Sequence, residues 1–178
     1  MENPNLWGSY SYHSKEDLIS ELMREYGTDV LRLAFSYVKN WTQAEDIAQL
    51  TFIKCYDHLH QFKGRNMKSW LLKITSNSCK DYLRSWHYRH TVISDKIKDV
   101  LKVDSPEQIL LEKDDNEQLA QVVLHLPLKY REIIYLHYFE GISLIDISDM
   151  LELNINTVKS RHKRAKELFK KKYLERMD

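Results

Sequence analysis

Apolar side chains recur along this chain at the three- and four-residue spacing of helices. Leu18, Leu22 and Tyr26 form one stripe, and Val30, Ala34, Tyr37 and Val38 continue it after Gly27. Thr42-Gln43-Ala44-Glu45 reads as a capping box, a hydroxyl followed three residues on by a carboxylate. It opens a helix running to about His60, with Ile47, Leu50, Ile53 and Tyr56 or Asp57 at successive near-turn spacings. A short connection over residues 62–65, containing Gly64, leads to Asn66. Asn66 caps a fourth helix that continues to about His87 or beyond. These four helices make a first domain.

The pattern loses its period over residues 91–104, the expected linker. Ser105-Pro106-Glu107-Gln108 restarts a helix with an N-cap, a proline at the first position and a capping-box residue. Pro127 begins another helix that stops at Gly141. Ser143 starts a short third one ending near Leu151, and Asn154 caps a last one reaching about Tyr173. The segment 142–173 thus has the organisation of a helix-turn-helix, with Leu144, Ile147 and Leu151 inward on the short helix. The longer basic helix packs through Val158, Ala165 and Leu168 or Phe169.

Composition narrows the class further. Among 178 residues there are 4 Gly and 3 Pro, too few for the frequent turns of an all-β sandwich or barrel, so the fold is expected to be all-α. With 43% hydrophobic and 30% charged residues, the chain is not disordered. Cys55 and Cys79 form no paired motif and read as packing thiols in a reducing compartment. No stretch approaches the roughly 20 apolar residues of a membrane span. Met1-Glu2-Asn3-Pro4 opens no signal peptide, so a cytoplasmic location is expected.

The net charge of +1 conceals a strong division. Residues 1–62 hold five basic and nine acidic side chains; residues 63–90 hold seven basic and one acidic. Residues 91–156 are acidic again, and residues 157–176 carry nine basic and two acidic side chains. Two separated basic blocks suggest two contacts with a polyanion. In the last helix, the face opposite Val158 carries Asn156, Ser160, Lys163 and Glu167, flanked by Thr157 and Arg164. Asn, Thr and Ser can read base edges in the major groove, Arg can pair with guanine, and Lys159, Arg161 and Lys163 can hold phosphates. In the fourth helix, a buried face centred on Ile74, with Met67, Trp70, Leu71, Ser78 and Tyr82, leaves Ser69, Lys73, Ser76, Lys80 and His87 opposite it, with Asn77 and Arg84 at the flank. Cations interleaved with small polar groups, near Trp70, Tyr82, Trp86 and Tyr88, fit nucleic acid, single strands included. His58 and His60 form a close histidine pair, but no acidic cluster at ligand spacing accompanies them, which argues against a metal hydrolase.

Several motifs resemble the extracytoplasmic-function sigma factors. Ala44-Glu45-Asp46-Ile47-Ala48-Gln49, Thr51-Phe52-Ile53-Lys54, Trp70-Leu71-Leu72-Lys73-Ile74 and Asp81-Tyr82-Leu83-Arg84 look like region two of that family. Leu126-Pro127, Arg131, Tyr138-Phe139-Glu140-Gly141-Ile142-Ser143 and Thr157-Val158-Lys159-Ser160-Arg161, with Arg164-Ala165, look like region four. Leu50 stands where an acidic residue is common, Asp146-Ile147-Ser148 replaces Glu-Ile-Ala, Glu152 stands where the turn often has glycine, and Asn154 replaces serine. The resemblance implies an N-terminal extension over 1–15, region two over 16–90, a linker over 91–104 and region four over 105–178. It implies contact with core RNA polymerase, with the β′ clamp helices through Asp46, Gln49 and Lys54 and with the β flap through region four. It assigns −10 recognition and melting to Lys63, Arg65, Asn66, Lys73, Asn77, Lys80 and Arg84. The −35 contact falls to Asn156, Thr157, Lys159, Ser160, Arg161, Lys163 and Arg164. It implies as partners double-stranded and melted promoter DNA and an anti-sigma factor, with no catalytic residue, metal, cofactor or small-molecule substrate. A transcriptional regulator of the response-regulator output type is the alternative, sharing only the C-terminal helix pair.

Overall fold

A computed structural model describes residues 14–63, 66–94 and 116–177, and among these there is no strand. The elements are α1 (Lys15–Val38), α2 (Trp41–His58), a 3₁₀ turn (Leu59–Gln61), α3 (Met67–Ser94), α4 (Asn116–Leu124), α5 (Leu128–Ile134), a π-helical turn (Tyr135–Phe139), α6 (Leu144–Leu151) and α7 (Ile155–Met177). They divide into two compact units, one built mainly from α1 to α3 and the other from α4 to α7.

In the first unit Ser14 caps α1, its hydroxyl oxygen accepting from the Asp17 N–H at 3.0 Å. The helix then runs unbroken through Gly27, so two expected helices are one; 24 residues of consistent packing outweigh the modest cost of one glycine. α2 begins at Trp41, one residue before the expected cap, so Thr42 lies inside the helix. Its buried side is Ala44, Ile47, Thr51, Phe52 and Cys55, whereas Leu50, Ile53 and Tyr56, which share the near-turn spacing of Ile47, are 41%, 58% and 36% exposed. The three helices are tied pairwise. The Tyr56 hydroxyl donates to Glu16 Oε1 at 2.7 Å, Lys68 pairs with Asp29 at 2.9 Å, and Lys54 donates to Ser78 at 3.0 Å.

α3 also turns differently from expectation. Leu71, Leu72, Thr75, Ser76, Ser78 and Cys79 are buried, while Ile74, Trp70 and Tyr82 are half-buried. The inward face is therefore centred near Leu72, Thr75 and Cys79, and Ser76, expected outside, belongs to the core. Small hydroxyl and thiol side chains let α3 pack closely. Thr75 satisfies its own hydroxyl by donating to the Leu71 carbonyl at 2.8 Å. α3 extends to Ser94, into the stretch expected as linker. The expected N-terminal extension up to residue 13, the rest of the linker and the Ser105 helix start lie outside the described residues.

In the second unit Val123, Leu126, Ile134 and Ala165 form a core cluster, with Tyr130, Leu168 and Phe169 packed against it. The α4–α5 corner is held by buried Arg131, whose Nη1 donates to the carbonyls of Leu124 at 2.7 Å and Leu126 at 3.3 Å. Leu124 is the last residue of α4, so its carbonyl has no partner within that helix. Beyond α5 the helix widens into the π-turn, where the Glu140 N–H reaches the Tyr135 carbonyl at 3.3 Å. Tyr135 and Leu136 stay buried while Tyr138 and Phe139 are 57% and 49% exposed. Gly141, at φ 70°, ends the turn as expected of a C-terminal glycine.

Candidate nucleic-acid interface

The helix-turn-helix is built from local signals. Ser143 caps α6, its Oγ accepting from the Asp146 N–H at 3.1 Å. Glu152 closes α6 in the left-handed conformation, and the Leu153 N–H returns to the Ser148 carbonyl at 2.9 Å. Asn154 Oδ1 then accepts from the Asn156 N–H at 2.8 Å and starts α7. Val158 and Ala165 are fully buried, which sets the rotation of α7.

With that rotation, Asn156, Lys159, Ser160, Lys163 and Arg164 are exposed and Thr157 is half-buried. The seventh expected residue behaves differently. Arg161 turns toward α5, with its Nη1 3.6 Å from Oε1 of buried Glu132, so it braces the helix instead of extending from the outer face. Arg164 is paired with Glu167 at 2.8 Å, and the Ser160 hydroxyl donates to the Thr157 carbonyl at 2.9 Å.

On α3, Lys73, Asn77, Lys80 and Arg84 fall within about 60° of one another round the helix, a single stripe. Asn77 and Arg84 are exposed, Lys73 and Lys80 half-buried, and Arg84 reaches Asp81 at 2.9 Å. Asn66 is committed to capping α3, its Oδ1 accepting from the Ser69 N–H at 3.0 Å. Lys63 is exposed, and Arg65 lies outside the described residues. Trp70 stacks obliquely on Phe62, ring centroids 5.2 Å apart.

α2 presents a second kind of surface. Asp46, Gln49, Leu50, Ile53 and Asp57 all lie exposed on one side of the helix. Lys54, expected beside Asp46 and Gln49, points to α3 and Ser78 instead. Sequence reasoning did not number Leu50 and Ile53 among the candidate contact residues. The signal was present, because α2 carries two apolar stripes and the core needs one. Among the described residues no group of three or more His, Cys, Asp or Glu could hold a metal, and no helix is long and apolar enough to cross a membrane.

Residues 22–89 match the Sigma-70 region 2 family and residues 116–169 the Sigma-70 region 4 family. SigM of Bacillus subtilis, an ECF RNA polymerase sigma factor, is 29% identical over 87% of this chain and 94% of its own length. SigV of Bacillus subtilis, an RNA polymerase sigma factor, is 31% identical over 86% of this chain and 89% of its own. The fold is also that of the Bartonella quintana sigma factor RpoE, solved with the anti-sigma factor NepR. There the TM-score is 0.71 at 24% identity, over 90% of this chain and 98% of that one. The region 2 match does not favour a response-regulator output domain, which would share only the C-terminal helices. With both regions present in order and relatives spanning most of both chains, this protein belongs to the extracytoplasmic-function sigma factors, which direct RNA polymerase to promoters.

Proposed function

We propose that the exposed α2 face docks on core RNA polymerase, that the α3 stripe engages the −10 element during melting, and that α7 reads the −35 element in the major groove. The observation that carries this reading is a division of labour between surfaces. Each unit turns one cationic, amide-bearing helix face to solvent, whereas among the described residues α2 sets carboxylate, amide and bare apolar side chains together. The first chemistry suits phosphates and base edges. The second suits a protein partner, where a desolvated apolar centre supplies affinity and polar groups set the register. The domain limits of 16–90 and 105–178 belong to the same proposal, as does action in the cytoplasm where polymerase and promoters are. The chain performs no chemistry itself; polymerase forms the phosphodiester bonds. An anti-sigma factor is a further proposed partner, by analogy with the RpoE complex.

The test is capture of core polymerase by the full-length chain. Asp46→Ala with Gln49→Ala weakens capture about tenfold or more, as the loss of two polar contacts that set the register does, with helicity by circular dichroism unchanged. Capture at native strength would remove α2 from the interface.

A further inference from the structure

His162 on α7 is left unused by the promoter reading. It lies about 40° round the helix from buried Val158, between the core and the exposed Lys159 and Lys166. Its Nε2 is 3.3 Å from the Tyr138 hydroxyl, and its ring stacks on Tyr138 with centroids 5.7 Å apart. It meets the His137 ring edge-on at 5.1 Å. His137 is itself oriented, because its Nδ1 lies 2.8 Å from the Ile142 carbonyl, which can only accept, so Nδ1 carries a proton.

The packed elements bring little negative charge to this site. Along α4 the described side chains, residues 119–124, include no titratable group. On α5, Glu132 is paired with Arg161, Arg131 with the Leu124 and Leu126 carbonyls, and Lys129 lies over the Tyr130 ring. On α6, Asp146 accepts from Ser143 and Asp149 is exposed. The π-turn offers His137, Tyr135 and Tyr138, with half-buried Glu140 just past its end. Burial, then the charges of His137 and Lys166, hold the His162 imidazole below its usual pKa.

An anion at the rim would reverse that balance, since it favours the imidazolium. We propose that His162 is a proton-gated phosphate contact of α7: a backbone phosphate seated along Lys159 and Lys166 draws one proton from solvent onto His162. The Tyr138 hydroxyl, donor to the neutral ring, then becomes the acceptor for Nε2–H. DNA binding thus takes up one proton per chain, and acidification strengthens it. The inference rests on the assignment of α7 to promoter DNA.

The experiment compares polymerase holoenzymes carrying the wild-type full chain, H162Q and H125Q on a −35-containing duplex at about pH 8 and about pH 6. His125 is exposed and bonds only within its own turn, to the Gln121 carbonyl. Any pH response of core polymerase is common to all three. Wild type and H125Q gain up to about tenfold in affinity on acidification, with a salt slope steeper by about 0.9; H162Q gains neither. In parallel, nuclear magnetic resonance follows His162 in the full chain. Its titration moves up when the duplex is added, and moves up without DNA in H137Q. An equal pH response in wild type and H162Q, or a His162 titration indifferent to DNA, overturns the proposal while leaving the promoter reading intact. Failure of wild type to select the −35 sequence at either pH would remove the promoter reading and this contact with it. Should H162Q fold poorly, the wild-type titration with and without duplex decides.

Discussion

Glu152 occupies a backbone conformation that suits glycine. At φ 56° and ψ 43° it is in the left-handed region, where a Cβ crowds the following carbonyl. The position is forced by the turn, which must bring the chain round within three residues from Leu151 to Asn154. Glycine removes the steric cost of about 1–2 kcal/mol but adds unfolded-chain entropy worth about 0.5–1 kcal/mol. Glu152→Gly is therefore expected to stabilise the second unit by roughly 0.5–1 kcal/mol, read as a higher urea midpoint at unchanged slope. A lower midpoint would show that the glutamate side chain contributes more than its backbone costs. Arg131 and Arg161 teach the converse lesson about charge. Both sit in basic or interface-like sequence, yet one ties the carbonyls at the α4–α5 corner and the other braces α7 against Glu132.

Within single elements, the two described glycines do opposite work. Gly27 sits mid-helix in α1, and a Cβ there would meet nothing within 4 Å. Gly27→Ala should stabilise the first unit by about 0.5–1 kcal/mol through helix propensity alone. Gly141 has equal space but φ +70°, so Gly141→Ala should destabilise the second unit by about 1 kcal/mol. Thermal melts of the two variants should shift in opposite directions; a shift of both the same way would refute the backbone argument. The π-turn is the element that no sequence pattern announced. Its wider hydrogen bonding advances the chain by an extra residue per turn, which keeps Tyr135 and Leu136 inside while swinging Tyr138 toward α7.

Across the whole molecule, the two units differ in how they meet pH. Both cysteines are in the first unit, fully buried, and burial pushes each thiol up to about 12 from 9.0. An unfolded thiol ionises from about pH 9 while a folded one holds its proton, so the unfolded state binds fewer protons. The first unit therefore loses stability as pH rises from about 9 to about 12. The second unit has no thiol but holds His162, whose lowered pKa means that the unfolded state binds more protons in acid, so its stability falls below about pH 6.5. Thiol labelling checks the first statement. At pH 8 both cysteines should react slowly, at a rate set by opening of the first unit, and labelling should accelerate steeply with urea. Fast labelling of either in native buffer would contradict the burial.

The class of the fold, most helix positions and most caps, though not the Thr42 cap or the unbroken run through Gly27, were legible from the chain alone, because they rest on neighbours three and four residues apart. Ser143, Asn154 and Asn66 cap as their spacing indicates, and Gly141 closes its turn. The Lys73, Asn77, Lys80 and Arg84 stripe and the Asn156 to Arg164 face were equally visible, since a common helix face follows from the helical repeat. What local spacing could not decide was rotation. α3 has apolar or small residues on two sides, and only packing against α1 and α2 chose Leu72, Thr75 and Cys79 over Ile74. The same ambiguity turned Leu50 and Ile53 outward on α2 and took Lys54 and Arg161 from their surfaces into ties with Ser78 and Glu132. A pattern within one helix specifies which residues share a face; which face is buried depends on what the other helices bring to it.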